Sequence, residues 1–548
     1  MSGDEKSAPQ PELSQRQSQI LELLQAGKVN KEVARELGIG VGTVKQHIVA
    51  LFKKLNVHNR ALAVSRGMDR RHEQERRGST LEARGLLERR PCVVLSVALP
   101  EDASQVAARL MYGTLAALAS ANDAVFLARQ GNAGDVIFGI QRVTEYDVAI
   151  ALQTARAVYD DLLALDAGWA EKIRGCLTAG LAVASMKRFG GWTGEAIASA
   201  VIASARELLN DMLPGQLAFD SAALNLIEAF GIGGQQKVPP ALPFQELKNL
   251  HWTGSRRAYP LVGRDDELAI LKVALNKAVN GKGRLIHVEG EMGMGKSRLC
   301  EEVLQHCLDL GGLTSFYRCL PAALGKSLYD AGRGTDCSVE DVASSLRAKP
   351  TRSPELNVVD DFHLLPKVQQ ALLSAAAAVA VENKKMVVFS GRRGVIGSGS
   401  HPAETINLRR LSAEAIETLV RGALDKGGAK ARPREVRDIS STAAGVPLFA
   451  VELARHHDAE RLALPLLVAV NARLDSLSLD RNLLLAVARS PAPPTVEKIA
   501  ETLGEDAESL RLQVERSVAA GVLSRSADGC LSFTHPLLRR AIDSLVME

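Results

Sequence analysis

A chain of 548 residues with 46% apolar and 24% charged residues has the composition of globular protein and room for three or four domains, each with its own core. Seven cysteines, an odd number with no Cys-x-x-Cys pair, argue against a disulfide or zinc framework and for reduced thiols. The first residues lack an apolar signal core and no uncharged apolar run is long enough to cross a bilayer, so the expected place is the cytoplasm, with no membrane partner. The net charge of +4 is unevenly spread: residues 1–90 carry 17 Lys and Arg against 11 Asp and Glu, and the remainder 50 against 52. A basic front on a near-neutral body suggests a nucleic-acid-binding end.

Residues 1–10 are polar and expected to be disordered, and a helical module follows over 11–68. A helix from Leu13 to a stop at Gly27 turns Ile20, Leu21, Leu23 and Leu24 inward. Asn30 caps a short second helix with Val33, Ala34 and Leu37 on one face, and Gly38-Ile39-Gly40 leads into a third helix, Thr43 to Leu55. This is helix-turn-helix spacing. With Val44, Ile48, Leu51 and Leu55 inward, Thr43, Lys45, Gln46, Lys53 and Lys54 face out, where double-stranded promoter DNA would lie. The run Asn30-Lys31-Glu32-Val33-Ala34, with Thr43 through Ile48 and Asn59-Arg60-Ala61-Leu62, resembles the LuxR/GerE-type DNA-binding domain. That resemblance implies a fourth helix over 59–68 serving as a dimer face, and adds Lys31 and Arg60 to the DNA-binding residues. Gln17 and Gly40 depart from the family pattern, and glycine at an N-cap costs only a few tenths of a kcal/mol relative to serine.

Residues 69–90 are charged, helix-compatible and poor in apolar stripe, which reads as a solvated linker helix. Over 91–231 the expected order is a strand (Cys92–Ala98), a helix (104–120), a hairpin (125–129 and 135–139), a helix (146–165), a strand (176–185) and a helix (194–210). A βαββαβ order of this kind predicts a ferredoxin-like α+β domain. The segments Gly131 to Gly139, Arg174 to Gly180, Trp192 to Ile197 and Leu213 to Leu217 resemble the landmarks of class III nucleotide cyclases. The family's two metal-binding carboxylates fall on Val97 and Asn132, and its Asn and Arg on Ala198 and Ile202. Phosphoryl chemistry of that kind depends on carboxylate-held metal, so the domain is read as a degenerate, non-catalytic relative. Asp135 would serve as a ligand only if the hairpin alignment slipped.

Residues 232–258 read as a Gly/Pro-rich linker, and residues 259–400 as a P-loop ATPase. An apolar strand over 284–289 runs into Gly290-Glu-Met-Gly293-Met-Gly295-Lys296-Ser297. Gly290, Gly293 and Gly295 let successive backbone N–H groups turn toward a triphosphate at the start of a helix. Lys296 would meet the β and γ phosphates of ATP or ADP, and the Ser297 hydroxyl a Mg²⁺ ion. Glu355 to Asp361 is a strand ending in two acids: Asp360 would hold Mg²⁺ through water, and Asp361 is the candidate catalytic base, with helix capping as its plainer role. A further strand over 385–391 ends in Arg392 and Arg393, placed to sense a γ-phosphate. Leu261-Val-Gly-Arg-Asp-Asp-Glu resembles the lead-in to the P-loop of STAND ATPases. Residues 401–475 then form a helical lid capped at Ser412, in which Gly445-Val-Pro447 resembles the STAND turn that packs near adenine. Residues 476–548 resemble the winged-helix end of such proteins, with His535 as a turn residue before Pro536.

The fold expected is multidomain α/β: an all-α helix-turn-helix, a ferredoxin-like domain, and a parallel-sheet ATPase with lid and winged helix. The function expected is an ATP-dependent bacterial transcription regulator, an activator, working at the nucleoid as a homo-oligomer with RNA polymerase and a small-molecule inducer as partners. Its ATPase would be slow and regulatory. The alternative is a signalling enzyme, an adenylate cyclase fused to an ATPase.

Overall fold

The computed structural model describes residues 86–233, 238–252, 259–319, 328–333, 335–351, 353–392, 403–426, 432–455 and 462–545. The chain divides into two compact units, 1–85 and 86–548. The helix-turn-helix and its DNA-facing Lys31, Thr43, Lys45, Gln46, Lys53, Lys54 and Arg60 lie outside the described residues. Among the described residues no helix is long and apolar enough to cross a membrane.

The second unit opens on a long strand, β1 (Leu86–Ala98), followed by α1 (Gln105–Ala121), β2 (Val125–Arg129), β3 (Ala133–Phe138), α2 (Asp147–Leu165), β4 (Arg174–Met186), α3 (Ala200–Asn210), β5 (Gln216–Phe219), α4 (Ser221–Ala229) and β6 (Ala241–Pro243). The sheet runs β2-β3-β1-β4-β5-β6, with β1 antiparallel to β3 and β4, so that Leu95 faces Val136 on one side and Leu177 on the other. Alternation along β1 divides its side chains between two cores. Val93, Leu95 and Val97 join Met111, Leu115 and Val158 beneath α1 and α2, while Cys92, Val94 and Ala98 join Ile202 and Ala205 of α3. Hydroxyls start two of the helices, Ser104 accepting from the Ala107 amide and Ser199 from that of Val201.

Three sequence expectations fail in this region. Residues 86–90, expected in a solvated linker helix, are strand, and Glu88 and Arg90 are buried. The helix expected from 194 begins at Ala200, because Ala198 pairs with Val183 as an extension of the sheet. Part of the expected linker 232–258 belongs to the domain: β6 pairs with β5, and a short 3-10 turn over Phe244–Asn249 buries Phe244 and Leu247. Gly and Pro mark turns there, yet the apolar residues between them are spaced to fill the core.

The ATPase region adds α5 (Asp265–Val279), β7 (Arg284–Glu289), α6 (Lys296–Asp309), β8 (Leu313–Cys319), β9 (Leu328–Asp330), β10 (Thr335–Cys337), α7 (Val339–Arg347), β11 (Glu355–Asp360), α8 (Lys367–Glu382), β12 (Met386–Gly391) and β13 (Glu404–Asn407). Its sheet runs β10-β9-β8-β11-β12-β7-β13, with the five strands from β8 to β13 parallel. The buried apolar runs of these strands suit a sheet covered on both faces: Ile286, Val288, Val358 and Val388 pack with Leu299 and Val303 of α6, and Leu285, Val359, Val387 and Phe389 with Leu373 and Ala377 of α8. Since β13 pairs with β7, the boundary expected at residue 400 moves past Asn407.

The segment expected as a helical lid holds α9 (Ala413–Lys426), α10 (Pro433–Ala443) and α11 (Pro447–Arg455), packed around Ile416, Val420, Val436 and Ala450. Then come α12 (Leu464–Leu477), α13 (Arg481–Arg489), α14 (Val496–Leu503), α15 (Ala507–Ala519), the hairpin β14 (Leu523–Arg525) and β15 (Leu531–Phe533), and α16 (Pro536–Leu545). His535 is buried here and structural, one ring nitrogen accepting from the Leu537 amide and the other 3.0 Å from the Ala443 carbonyl. The charges of β1 meet their partners on this arm: Arg90 donates to Asp475 at 3.1 and 2.5 Å, and Arg481 donates to Glu88 at 2.7 Å and also to Asp475. Two acids balanced by two arginines in a buried seam avoid the cost of an unpaired buried charge, which is about 3–5 kcal/mol when one partner is removed.

Candidate nucleotide site

At the C-terminal end of β7 the chain enters the loop 290–295 and passes directly into α6. Gly293 and Gly295 hold φ of 75° and 88°, a region costly for residues bearing a Cβ. At Gly293 space forbids a side chain as well, since a Cβ there would lie 2.9 Å from Leu448. The Leu448 amide donates to the Gly293 carbonyl at 3.2 Å, joining the start of α11 to the loop. Arg264, buried at the lead-in to α5, donates to the carbonyls of Met294 at 3.1 Å and Arg409 at 2.7 Å. Lid and loop are therefore held by the same few backbone groups.

Lys296 folds back over the loop, donating to the carbonyls of Gly290 at 3.1 Å and Glu291 at 3.0 Å. The Ser297 hydroxyl donates to Asp360 Oδ2 at 2.7 Å. Asp360 is fully buried and also accepts from Arg318 at 3.0 Å and from the Ser390 hydroxyl. Burial opposes its ionisation, but the Arg318 charge and the two hydroxyls outweigh that and hold the carboxyl below its ordinary range. Asp361, one residue on, takes φ 56° and donates its amide to Ser390 Oγ at 3.3 Å. Burial and then the neighbouring Asp360 charge push its carboxyl up. Burial followed by the charges of Arg392 and Lys296 pushes His363 down to about 3, and among the described residues neither of its ring nitrogens has a hydrogen-bond partner.

These groups border one cleft of about 280 Å³, whose lining includes Gly293, Gly295, Lys296, Ser297, Asp361, Arg392 and Pro447. Tyr259, Leu261, Val262, Leu419 and Val451 supply apolar wall. Of the sequence-derived site residues, Gly290 stands at the root of the loop, and Asp360 reaches the cleft through Ser297. Oxygen donors at Ser297 and Asp360 fit Mg²⁺, which takes few protein ligands and keeps waters and phosphates for the rest. A glycine loop opening a helix beside a lysine fits a polyphosphate. Sequence reading missed Arg318, Glu145, Tyr146 and Phe230, all of which line the cleft. Arg318 lies at the end of β8, and its place beside Asp360 follows from β8 pairing with β11, a fact of topology that no local motif carries.

Two segments of the chain match family models of known proteins. Residues 11–66 match the family model of bacterial regulatory proteins, luxR family, and residues 260–389 that of the AAA ATPase domain. The chain thus joins a LuxR-type helix-turn-helix domain to an AAA-type ATPase domain. It is 43% identical over 67 residues to the putative HTH-type transcriptional regulator YhjB of Escherichia coli (strain K12), covering 11% of this chain and 34% of that protein. It is 24% identical over 151 residues to the uncharacterized protein R02095 of Rhizobium meliloti (strain 1021), 25% of this chain and 15% of that one. The matches thus span about a third of the first relative's length and less of the second's. Among solved structures, the walker-type ATPase paby2304 of Pyrococcus abyssi is 15% identical with a TM-score of 0.34, covering 52% of this chain and 96% of its own. The RuvB Holliday junction branch migration motor of Thermotoga maritima is 17% identical with a TM-score of 0.30, over 50% and 92%.

Proposed function

We propose that the chain is an ATP-dependent bacterial transcription regulator, an activator, in which the nucleotide state of a STAND-type ATPase controls promoter binding by the N-terminal helix-turn-helix. The observation that carries this reading is the convergence of Lys296, Ser297, Asp361 and Arg392 on one cleft in a chain whose residues 11–66 match a DNA-binding family. In it Lys296 would meet the phosphates in place of the loop carbonyls, Ser297 and Asp360 would hold Mg²⁺, and Asp361 would orient the attacking water. Bound Mg²⁺ supplies the charge that offsets negative charge developing on the phosphates. Hydrolysis is slow and resets the protein, so the energy that matters is the difference in nucleotide affinity between two conformations. The Leu448 bond to Gly293 and the Arg264 bonds to Met294 and Arg409 support a lid that senses loop geometry.

The domain over 91–231 is read as a degenerate relative of class III cyclases, a place for a small-molecule inducer or for assembly of a homo-oligomer that engages RNA polymerase. Supporting this, Val97 is buried in the core, and the Asn132 side chain donates to the carbonyls of Pro100 and Glu101. The experiment is promoter output measured beside ATP affinity for the wild-type chain and Lys296→Ala. Loss of both together is expected, and full promoter output from a variant that binds no nucleotide would refute control by the ATP site.

A further inference from the structure

The nucleotide cleft is not walled by the ATPase region alone. Glu145 and Tyr146, from the loop joining β3 to α2, border it, as do Ala229, Phe230 and Gly231 from the end of α4. Tyr146 is buried, and its hydroxyl donates to Asp361 Oδ2 at 3.0 Å. The Glu145 carboxylate stands 3.9 Å from the Arg392 guanidinium. The same loop is anchored from behind: the Val143 amide donates at 2.7 Å to Asp475 Oδ2 on α12, a carboxylate already gripped by Arg90 and Arg481. Two residues before Asp475, Arg473 reaches Glu291 in the glycine loop at 2.5 and 3.1 Å. One short loop therefore spans from the arm that touches the glycine loop to the acid that follows β11.

We propose that Tyr146 is a positioning residue that restrains Asp361, so that the domain over 91–231 sets the rate of ATP hydrolysis from across the domain seam. A carboxylate oxygen that accepts a phenolic O–H has that lone pair engaged and is a weaker acceptor for the proton of an attacking water. The Asp361 backbone, at positive φ and tied to Ser390 through its amide, keeps the carboxylate within reach of the Tyr146 hydroxyl. Any ligand or partner that draws the 139–146 loop away from the cleft would free the acid. This rests on the reading of Asp361 as the residue that orients water.

The test is steady-state ATP hydrolysis by the full chain carrying Tyr146→Phe, with nucleotide affinity measured separately by titration of a fluorescent ATP analogue. Removing one ordinary hydrogen bond should raise kcat about fivefold, with KM and affinity unchanged. The gain should vanish when Tyr146→Phe is placed on Asp361→Asn, whose own kcat is the reference. An unchanged or lowered kcat, or a gain that persists in the double variant, overturns the restraint while leaving the nucleotide reading intact. A wild-type chain that binds no ATP overturns both.

Discussion

Two buried carboxylates invite comparison, Asp135 in the first sheet and Asp360 in the second. Each is fully buried on a strand, and each is satisfied by hydroxyls and arginine: Ser96 at 2.7 Å, Arg129 at 3.1 Å and Arg206 at 3.4 Å for Asp135, and Ser297, Ser390 and Arg318 for Asp360. Charge compensation alone does not make a site. The difference is what stands beside the pair. Asp360 bonds to the first turn of a helix opened by a glycine loop that borders a cleft, whereas Asp135 is closed in by its own sheet and α3, with the Leu127 and Ser96 registers on either side. A ligand at Asp360 has donors to meet, and a ligand at Asp135 would have to displace the core.

The largest effect expected from breaking this contrast is at Lys296. Lys296→Ala removes charge-assisted contacts to two phosphates, each of about 1.5–3 kcal/mol, so ATP affinity should fall more than about 100-fold in a titration. The Asp135→Ala chain should bind ATP like wild type. A comparable loss from Asp135→Ala would mean that the first sheet also holds nucleotide.

A third carboxylate sharpens the point. Asp147, at the first turn of α2, accepts from the Thr144 hydroxyl and, at 3.0 Å, from its amide, with no arginine bonded to it among the described residues. Burial, only partly offset by those Thr144 bonds, pushes its pKa up to about 7. A folded pKa above the ordinary carboxylate value means stability is fully present below about pH 4 and is lost as pH rises through 7. The expected loss across that window is about 4 kcal/mol at most, and chemical denaturation at stepped pH measures it. Asp147→Asn should flatten the profile, and a profile as steep as wild type would assign the slope elsewhere.

Asp135→Asn is the milder perturbation. It keeps shape but weakens bonds to two partly exposed arginines, and should cost about 1–3 kcal/mol of stability with ATP hydrolysis unchanged. Equal loss of hydrolysis in Asp135→Asn and Asp360→Asn would erase the distinction between the two sites.

The glycine loop, the two acids at the end of β11, the strand before Arg392 and the Ser412 cap, whose hydroxyl accepts from the Ala415 amide, were legible because each is a local pattern with a local physical cause. Residues 86–90 were not, because a run of charge reads as solvated until Asp475 and Arg481, nearly 400 positions away, are seen to neutralise it. Tyr146 and Arg318 escaped for the same reason: each is an ordinary residue at the end of its own element, given a task only by the sheet or domain that packs beside it. The segment after residue 232 misled differently, since its Gly and Pro content described the turns and hid Phe244 and Leu247.

The smallest effect contrasts two ways of holding phosphate. Lys296 is buried, so its hold on ATP is screened little by salt, whereas Lys45 and Lys54, outward on the helix read from the sequence, would meet DNA phosphates in water. DNA binding should therefore weaken steeply with salt while ATP binding barely changes. Each phosphate contact removed lowers the slope of log affinity against log salt by about one, so Lys45→Ala with Lys54→Ala should lower it by about two. At moderate salt the pair should weaken binding uniformly across promoter sequences, because phosphate contacts carry no base information. A salt titration of promoter binding decides it. An unchanged slope in the double variant would remove these lysines from the DNA-reading role, and a steep salt dependence of ATP affinity would mean that Lys296 meets its phosphate in solvent and not within the cleft.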